Sequence, residues 1–156
     1  MKKLFTMVLI FTLASHPFQD SKAQSSTKTG PTLLNHIAVY VTDLEKSTDF
    51  YKNTFEFNQI PEPFHDGRHT WFSLGAAGQL HLIKGAKGKG NFDKNEHLCF
   101  SVPSVEGFIE KLKTQKIAYE NWAGAAQSIT LRVDGIKQIY FQDPDGHWLE
   151  VNDDYK

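Results

Sequence analysis

The chain has 156 residues, 17 Lys and Arg against 18 Asp and Glu, a net charge of −1 and a single cysteine, Cys99. That length suits one domain with a sizeable core. A mildly acidic chain without a basic cluster argues against a nucleic-acid partner. One cysteine excludes an internal disulfide, so the fold stands on packing even in an oxidising compartment.

The first residues read as a signal rather than as structure. Met1-Lys2-Lys3 is a positive start, Leu4 to Ala14 is an apolar run, and Ser21-Lys22-Ala23 has the small–x–small form of a cleavage site. Together they predict a secretory signal peptide over residues 1–23, too short for a membrane span. The expected location is therefore the periplasm or the medium. No membrane attachment is expected after cleavage, because no cysteine follows Ala23 to carry a lipid. Cleavage removes Lys2, Lys3, Lys22 and Asp20, which leaves the mature chain at a net charge of −3. Residues 24–32 are polar and read as a flexible lead-in. A single domain is expected over residues 33–152.

Its first module spans residues 33–84. Asn35 to Thr42 alternates and is rich in β-formers, which predicts a strand. Thr42 or Asp43 can cap the helix that follows, with Glu45 in its first turn. Leu44, Ser47, Thr48, Tyr51 and Phe55 fall near helical spacing and give one core-facing stripe. Pro61 and Pro63 mark a loop or an irregular edge strand. His69 to Leu74 reads as a strand, Gly75 to Gly78 as a turn, and Gln79 to Lys84 as another strand. Residues 85–95 read as a Gly/Lys-rich linker, since no Gly-Lys-Ser/Thr follows the glycines as a phosphate loop would need.

The second module spans residues 96–152. Glu96 to Val102 is a predicted strand. Ser104 caps a helix whose apolar stripe is Val105, Phe108, Ile109 and Leu112. Short strands are expected over Tyr119 to Trp122 and Ser128 to Val133. Gly135 to Phe141 is a further strand, Asp143-Pro144-Asp145-Gly146 a tight turn, and His147 to Asn152 the last strand.

The two modules repeat one another. His36-Ile37 in the first aligns with His97-Leu98 in the second, 61 residues on, and such a repeat governs the whole fold. Leu80-His81-Leu82 likewise matches Leu149-Glu150-Val151. Successive strand side chains point to opposite faces. In all four strands the aliphatic residues therefore share one face, while His36, His81, His97 and Glu150 project from the other into a cleft. Three imidazoles and a carboxylate make a candidate divalent-metal site, compatible with Zn, Ni, Co, Mn or Fe. Tyr40, Trp148 and Cys99 fall on the same face and are candidate pocket residues. Cys99 reads as a small buried thiol ahead of a nucleophile. His65, His69 and His147 lie off the repeat and are expected to face solvent.

At these residues the chain resembles the vicinal oxygen chelate superfamily, which includes glyoxalase I, methylmalonyl-CoA epimerase, extradiol dioxygenases and fosfomycin-modifying enzymes. LNHIAVYVTDLEKSTDFYKNTFEF is similar to that family's opening strand and helix, and QIYFQDPDGHWLEV to its closing hairpin. The resemblance covers about residues 33–152. It implies an α+β fold of two βαβββ modules forming a curled mixed sheet around a metal-binding cleft. It places His36, His81, His97 and Glu150 at the four ligand positions, with Glu150 as candidate base. Position 81 is commonly Glu or Gln in glyoxalase I and the epimerase, and the first helix often ends Leu-Gly-Phe where this chain has Phe55-Glu56-Phe57. The basic and amide residues that hold glutathione in glyoxalase I find no match, Lys52 being the nearest basic candidate.

Activity varies widely on this fold. The leading expectation is an exported metalloenzyme of glyoxalase-like lyase or isomerase type, with a small oxygen-chelating substrate. The rivals are an Fe(II) dioxygenase using His36, His97 and Glu150 with His81 as a pocket residue, and a non-enzymatic binder of a small molecule or drug. A homodimer is compatible with the repeat, because such a site can be completed within one chain or between two.

Overall fold

The computed structural model describes residues 30–156, so the expected signal peptide and nearly all of the lead-in lie outside the described residues. The elements run β1 (His36–Val41), α1 (Leu44–Phe55), β2 (Asn58–Ile60), β3 (His69–Ser73), β4 (Gln79–Lys84), β5 (His97–Ser101), α2 (Val105–Thr114), β6 (Thr130–Leu131), β7 (Lys137–Gln142) and β8 (Trp148–Asn152). They form two four-stranded mixed sheets, ordered β1-β4-β3-β2 and β5-β8-β7-β6. In each sheet the first and last strands of the module lie side by side and parallel, and the remaining pairs are antiparallel. The βαβββ plan is thus used twice, and β1 and β5 are both edge strands. Among the described residues no helix is long and apolar enough to cross a membrane.

Local chemistry fixes the helix ends. Asp43 takes an extended backbone and accepts a hydrogen bond from the Lys46 amide at 3.1 Å, while Ser104 does the same for Gly107. Each satisfies a donor that the first turn would leave unpaired. Helix α1 closes on Glu56 in the left-handed region, φ 58°, a conformation in which a side chain is disfavoured and glycine is not. Lys111 of α2 pairs with its carboxylate at 2.8 Å.

The aliphatic strand faces and the helix stripes meet in one core. Val39, Val41, Leu80 and Leu82 of the first module and Ile139, Phe141, Leu149 and Val151 of the second are buried in it together. Phe55 stands within 6.0 Å, ring centre to ring centre, of Phe57, Phe100, Phe108 and Phe141.

The inner face of α1 is more polar than its spacing implied. Its buried residues are Ser47, Tyr51 and Thr54, and each has a hydrogen-bond partner, as buried polar groups require. The partners of the first two come from the Asp143–Gly146 turn. Asp145 accepts from the Thr42 amide and hydroxyl, both at 2.7 Å, and from the Ser47 hydroxyl at 2.8 Å. Asp143 accepts from the Tyr51 hydroxyl at 3.0 Å and lies 2.8 Å from Nδ1 of His147. Burial pulls the Asp145 carboxyl upward, but the Thr42 and Ser47 hydrogen bonds outweigh it and hold its pKa below the ordinary value. The turn is therefore a clasp between the modules as well as a reversal of the chain. Gly146 is required there: its φ is 93°, and a Cβ would stand 2.6 Å from the Gly90 carbonyl oxygen.

Two strand expectations shrink. Of Tyr119–Trp122 only Glu120 pairs, through isolated bridges to Ala126 and Tyr140. Of Ser128–Val133 only Thr130–Leu131 is a strand, on the outer edge of its sheet. Residues 121–127 turn sharply, with an Asn121–Gly124 backbone bond and positive φ at Gly124 and Gln127, so neither strand can extend into them. The connector 85–95 carries no helix or strand but is fastened to the second module. Gly90 donates to the Asp145 carbonyl, Trp148 Nε1 donates to the Phe92 carbonyl, and the Phe92 ring stacks on His147 at 4.3 Å.

Candidate functional site

Strand register sorts the site residues. On the first sheet, His81 of β4 sits opposite Ala38 of β1 and Trp71 of β3. On the second, Glu150 of β8 sits opposite Cys99 of β5 and Tyr140 of β7. His81 and Glu150 thus hold equivalent places on central strands, and His36 and His97 open the neighbouring edge strands. Each sheet presents one such pair on the face away from the shared core.

In the first half-site the rings of His36 and His81 stack at 4.2 Å, and His81 stacks on Trp71 at 3.9 Å on its other side. Burial, then the neighbouring His36, lower the His81 pKa from its ordinary 6.5. His81 is consequently neutral at neutral pH, the ligating form of imidazole. Nδ1 of His36 lies 2.8 Å from the Asn35 side-chain oxygen, and Nε2 of His81 lies 2.8 Å from Oε1 of Gln79. Among the described residues each ring keeps one nitrogen without a hydrogen-bond partner.

In the second half-site Nε2 of His97 stands 3.2 Å from Oε2 of Glu150. The same carboxylate accepts from the Tyr140 hydroxyl at 2.6 Å, the Asn152 amide at 3.0 Å and the Cys99 thiol at 3.2 Å. Burial raises the Glu150 pKa, but these donors outweigh it, so the net shift is downward and the group is ionised. The partners pay the reverse: burial, then Glu150, push the Cys99 thiol up to about 12 and raise the Tyr140 phenol further. Both stay protonated as donors. Cys99 is on the expected face; the residue is exposed while its thiol is turned onto the Glu150 carboxylate, and a thiol so rarely ionised makes a poor nucleophile.

The donor set fits a metal ion. Nδ1 of His97 lies 2.7 Å from the Lys94 carbonyl, which can only accept, so the proton of the neutral ring sits on Nδ1. The Nε2 lone pair then faces a carboxylate oxygen 3.2 Å away. Two lone pairs at that range need a cation between them, either a proton or a metal. Ligands at roughly 2.1 Å from a common ion stand about 3 Å apart, as these two atoms do, and an imidazole held by a backbone carbonyl is the usual support of a metal-bound histidine.

The two pairs do not meet within one chain. Thr42, just past β1, bonds to Asp145 ahead of β8, and β8 runs parallel to β5. Ile37, near the start of β1, shares a shallow cavity with Phe100 and Ser101 at the end of β5. Strands β1 and β5 therefore run in opposite senses, which sets His36 about five residues of strand, on the order of 15 Å, from His97. Among the described residues no group of three or more His, Cys, Asp or Glu converges tightly enough to hold an ion. Within the described chain the four residues stand as two pairs, His36 with His81 and His97 with Glu150.

Of the pocket candidates, Tyr40 is 52% exposed on the first face. Trp148 is half-buried on the second, with its indole N–H given to Phe92. His65 is exposed as expected, whereas His69 and His147 are half-buried against Asp66 and Asp143. Sequence reasoning missed Tyr140, Asn152 and Trp71. The alternation of Gln138, Tyr140 and Gln142 with Ile139 and Phe141 was the available signal for the first.

Comparisons with known proteins bear on the family and the fold. The model of the Glyoxalase/Bleomycin resistance protein/Dioxygenase superfamily matches residues 33–151. Lactoylglutathione lyase of Pseudomonas putida is 25% identical, over 83% of this chain and 89% of its own. Metallothiol transferase FosB of Shouchella clausii is 30% identical, over 76% and 78%. Among solved structures, oxidase ChaP-H2 superposes with a TM-score of 0.65 at 20% identity, covering 80% of this chain and 94% of that one. The chain belongs to the glyoxalase/bleomycin resistance protein/dioxygenase superfamily.

Proposed function

We propose that this chain is an exported, divalent-metal enzyme of glyoxalase-like lyase or isomerase type, acting on a small substrate with two chelating oxygens. In this reading His36 and His81 of one copy face His97 and Glu150 of a second copy, so that a homodimer holds two complete sites. The observation that carries it is the His97–Glu150 pair, an imidazole nitrogen and a buried carboxylate oxygen 3.2 Å apart, at ligand spacing. Supporting it are the matching His36–His81 pair on the first sheet and the two open edge strands. The named activity of one relative, a lactoylglutathione lyase, supports the reaction type, and the name of another, a metallothiol transferase, supports the metal. Export rests on the sequence of residues 1–23.

A divalent ion at this set supplies Lewis-acid stabilisation of negative charge on the substrate oxygens. The chain's own residues handle the proton. Glu150 is held ionised, and its carboxylate can accept a proton from a carbon next to the substrate carbonyl. Tyr140 and Asn152 keep that carboxylate oriented, and Tyr140 retains its own proton throughout. Trp71 and Tyr40 on one face, with Trp148 on the other, wall the substrate from water.

The test is metal content of the mature protein, wild type beside His97→Ala and Glu150→Gln. The expected result is one ion per chain in the wild type and none in either variant. Zinc, nickel or cobalt is then followed by lyase and isomerase assays, and iron by oxygen uptake, which would turn the reading to the oxygenase. A wild type that takes up no metal after reconstitution would contradict the enzyme reading and leave a binding protein.

A further inference from the structure

The connector between the modules ends in Lys94, three residues before His97, and its side chain does not behave as a surface lysine. It is only 16% exposed. An ammonium group has three donors, and all three are taken: by the Glu120 carboxylate, by the Asn121 carbonyl at 3.3 Å and by the Trp122 carbonyl at 3.2 Å. The charge also lies over the rings of Trp148 at 4.7 Å, Tyr140 at 5.5 Å and Trp122 at 6.0 Å, within reach of their negative faces. A group so fully engaged is not available to substrate. It is a fastening.

Both ends of that fastening reach the second half-site. At one end, the Lys94 carbonyl accepts the Nδ1 hydrogen of His97 at 2.7 Å. At the other, Glu120 exchanges two backbone hydrogen bonds with Tyr140, at 2.9 and 2.8 Å, and Tyr140 donates to Glu150. The Trp122 ring adds an edge contact to Tyr140 at 5.5 Å. The first module has nothing comparable. The residue three before His36 is Leu33, 79% exposed, and His36 uses the adjacent Asn35 side chain instead.

We propose that Lys94 is the positioning residue of the second half-site, setting the His97 ring through its own carbonyl and the Glu150 carboxylate through Glu120 and Tyr140. The proposal rests on the metal reading given above for its consequence, though not for its geometry. A flexible residue at the end of a glycine-rich connector would let the carbonyl wander. Tying its side chain at three points fixes the backbone from which the carbonyl projects.

The test compares Lys94→Met, which keeps the stem but loses charge and donors, with Lys94→Arg, which keeps both. Three readouts are taken: the imidazole nitrogen resonances of metal-free protein, Zn(II) affinity by chelator competition, and the visible spectrum of the Co(II) form. Wild-type His97 is expected to show one Nδ1–H signal, hydrogen-bonded to the Lys94 carbonyl, whichever cation faces its Nε2. In Lys94→Met that signature is lost, Zn(II) binding weakens roughly tenfold and the Co(II) bands shift, whereas Lys94→Arg recovers most of the affinity. Glu120→Gln, which loosens the same fastening from its other side, is expected to move all three readouts in the same direction and serves if Lys94→Met does not fold. An unchanged Nδ1–H signal, affinity and spectrum in Lys94→Met or in Glu120→Gln would overturn the proposal. If the wild type binds no metal, the metal reading fails, and the Nδ1–H signal in metal-free protein still decides the role of Lys94.

Discussion

In the first module, the group at the centre of the sheet is His81, packed between the rings of His36 and Trp71. In the second, the group at the same register is Glu150, gripped by the Tyr140, Asn152 and Cys99 donors. The backbone plan is common to both, and so is the problem of desolvating a polar side chain on a half-covered sheet. The solutions differ because the side chains differ. A neutral imidazole offers flat faces and tolerates stacking, while a carboxylate needs donors or a cation. Placed face to face in a dimer, one half-site contributes two neutral ligands and the other one neutral and one anionic ligand, a set suited to a divalent ion.

The contrast predicts unequal ligand losses. Glu150→Gln removes the only anion and is expected to weaken Zn(II) binding by roughly 100-fold or more, since even a supporting residue is worth 10 to 100. His81→Gln, which removes one of three imidazoles, is expected to cost less than Glu150→Gln. Chelator competition on both variants checks the order, and equal losses would break the comparison.

A smaller effect separates the half-sites by pH in metal-free protein. The native His81 pKa lies below its ordinary 6.5, so the unfolded chain takes up a proton first as pH falls. Its contribution to stability is complete above 6.5 and is lost as pH drops from there through the lower native value. The native Glu150 pKa lies below its ordinary 4.5, so its contribution is complete above 4.5 and is lost as pH drops through its own native value. Urea unfolding against pH is expected to show the upper step flattened in His81→Gln and the lower one in Glu150→Gln. Both steps surviving in either variant would contradict the assignments.

The smallest effect is at Cys99. Its thiol, at about 12, is one of several donors to Glu150. Cys99→Ala is expected to keep wild-type metal content, and wild-type alkylation at pH 8 is expected to be slow.

The parts of this arrangement that were readable in sequence are the local ones. His36 and His97 could be placed because strand parity is a property of neighbouring residues, and His81 and Glu150 because each stands between two aliphatics. Asp43 and Ser104 were readable as caps for the same reason. The clasp was not: Asp145 meets Thr42 and Ser47 about 100 residues away, and nothing near the turn announces them. Ser47 joined the helix stripe by spacing alone, and only its bond to Asp145 explains its burial. Lys94 looked like part of a passive link because its three acceptors lie 26 to 28 residues further on. The split into half-sites was hidden for a related reason. Parity says which face a side chain takes, and it is silent on how the two sheets, β1-β4-β3-β2 and β5-β8-β7-β6, are set against one another.

The most direct test of the account is complementation between two crippled chains. One carries His36→Ala with His81→Ala, the other His97→Ala with Glu150→Gln, and each alone is expected to hold no metal. After subunit exchange in an equal mixture, half the dimers are mixed and each mixed dimer has one intact site, so metal should return to about a quarter of the wild-type content. A mixture that exchanges subunits yet stays metal-free, beside a wild type that binds one ion per chain, would show that the site is not built between copies.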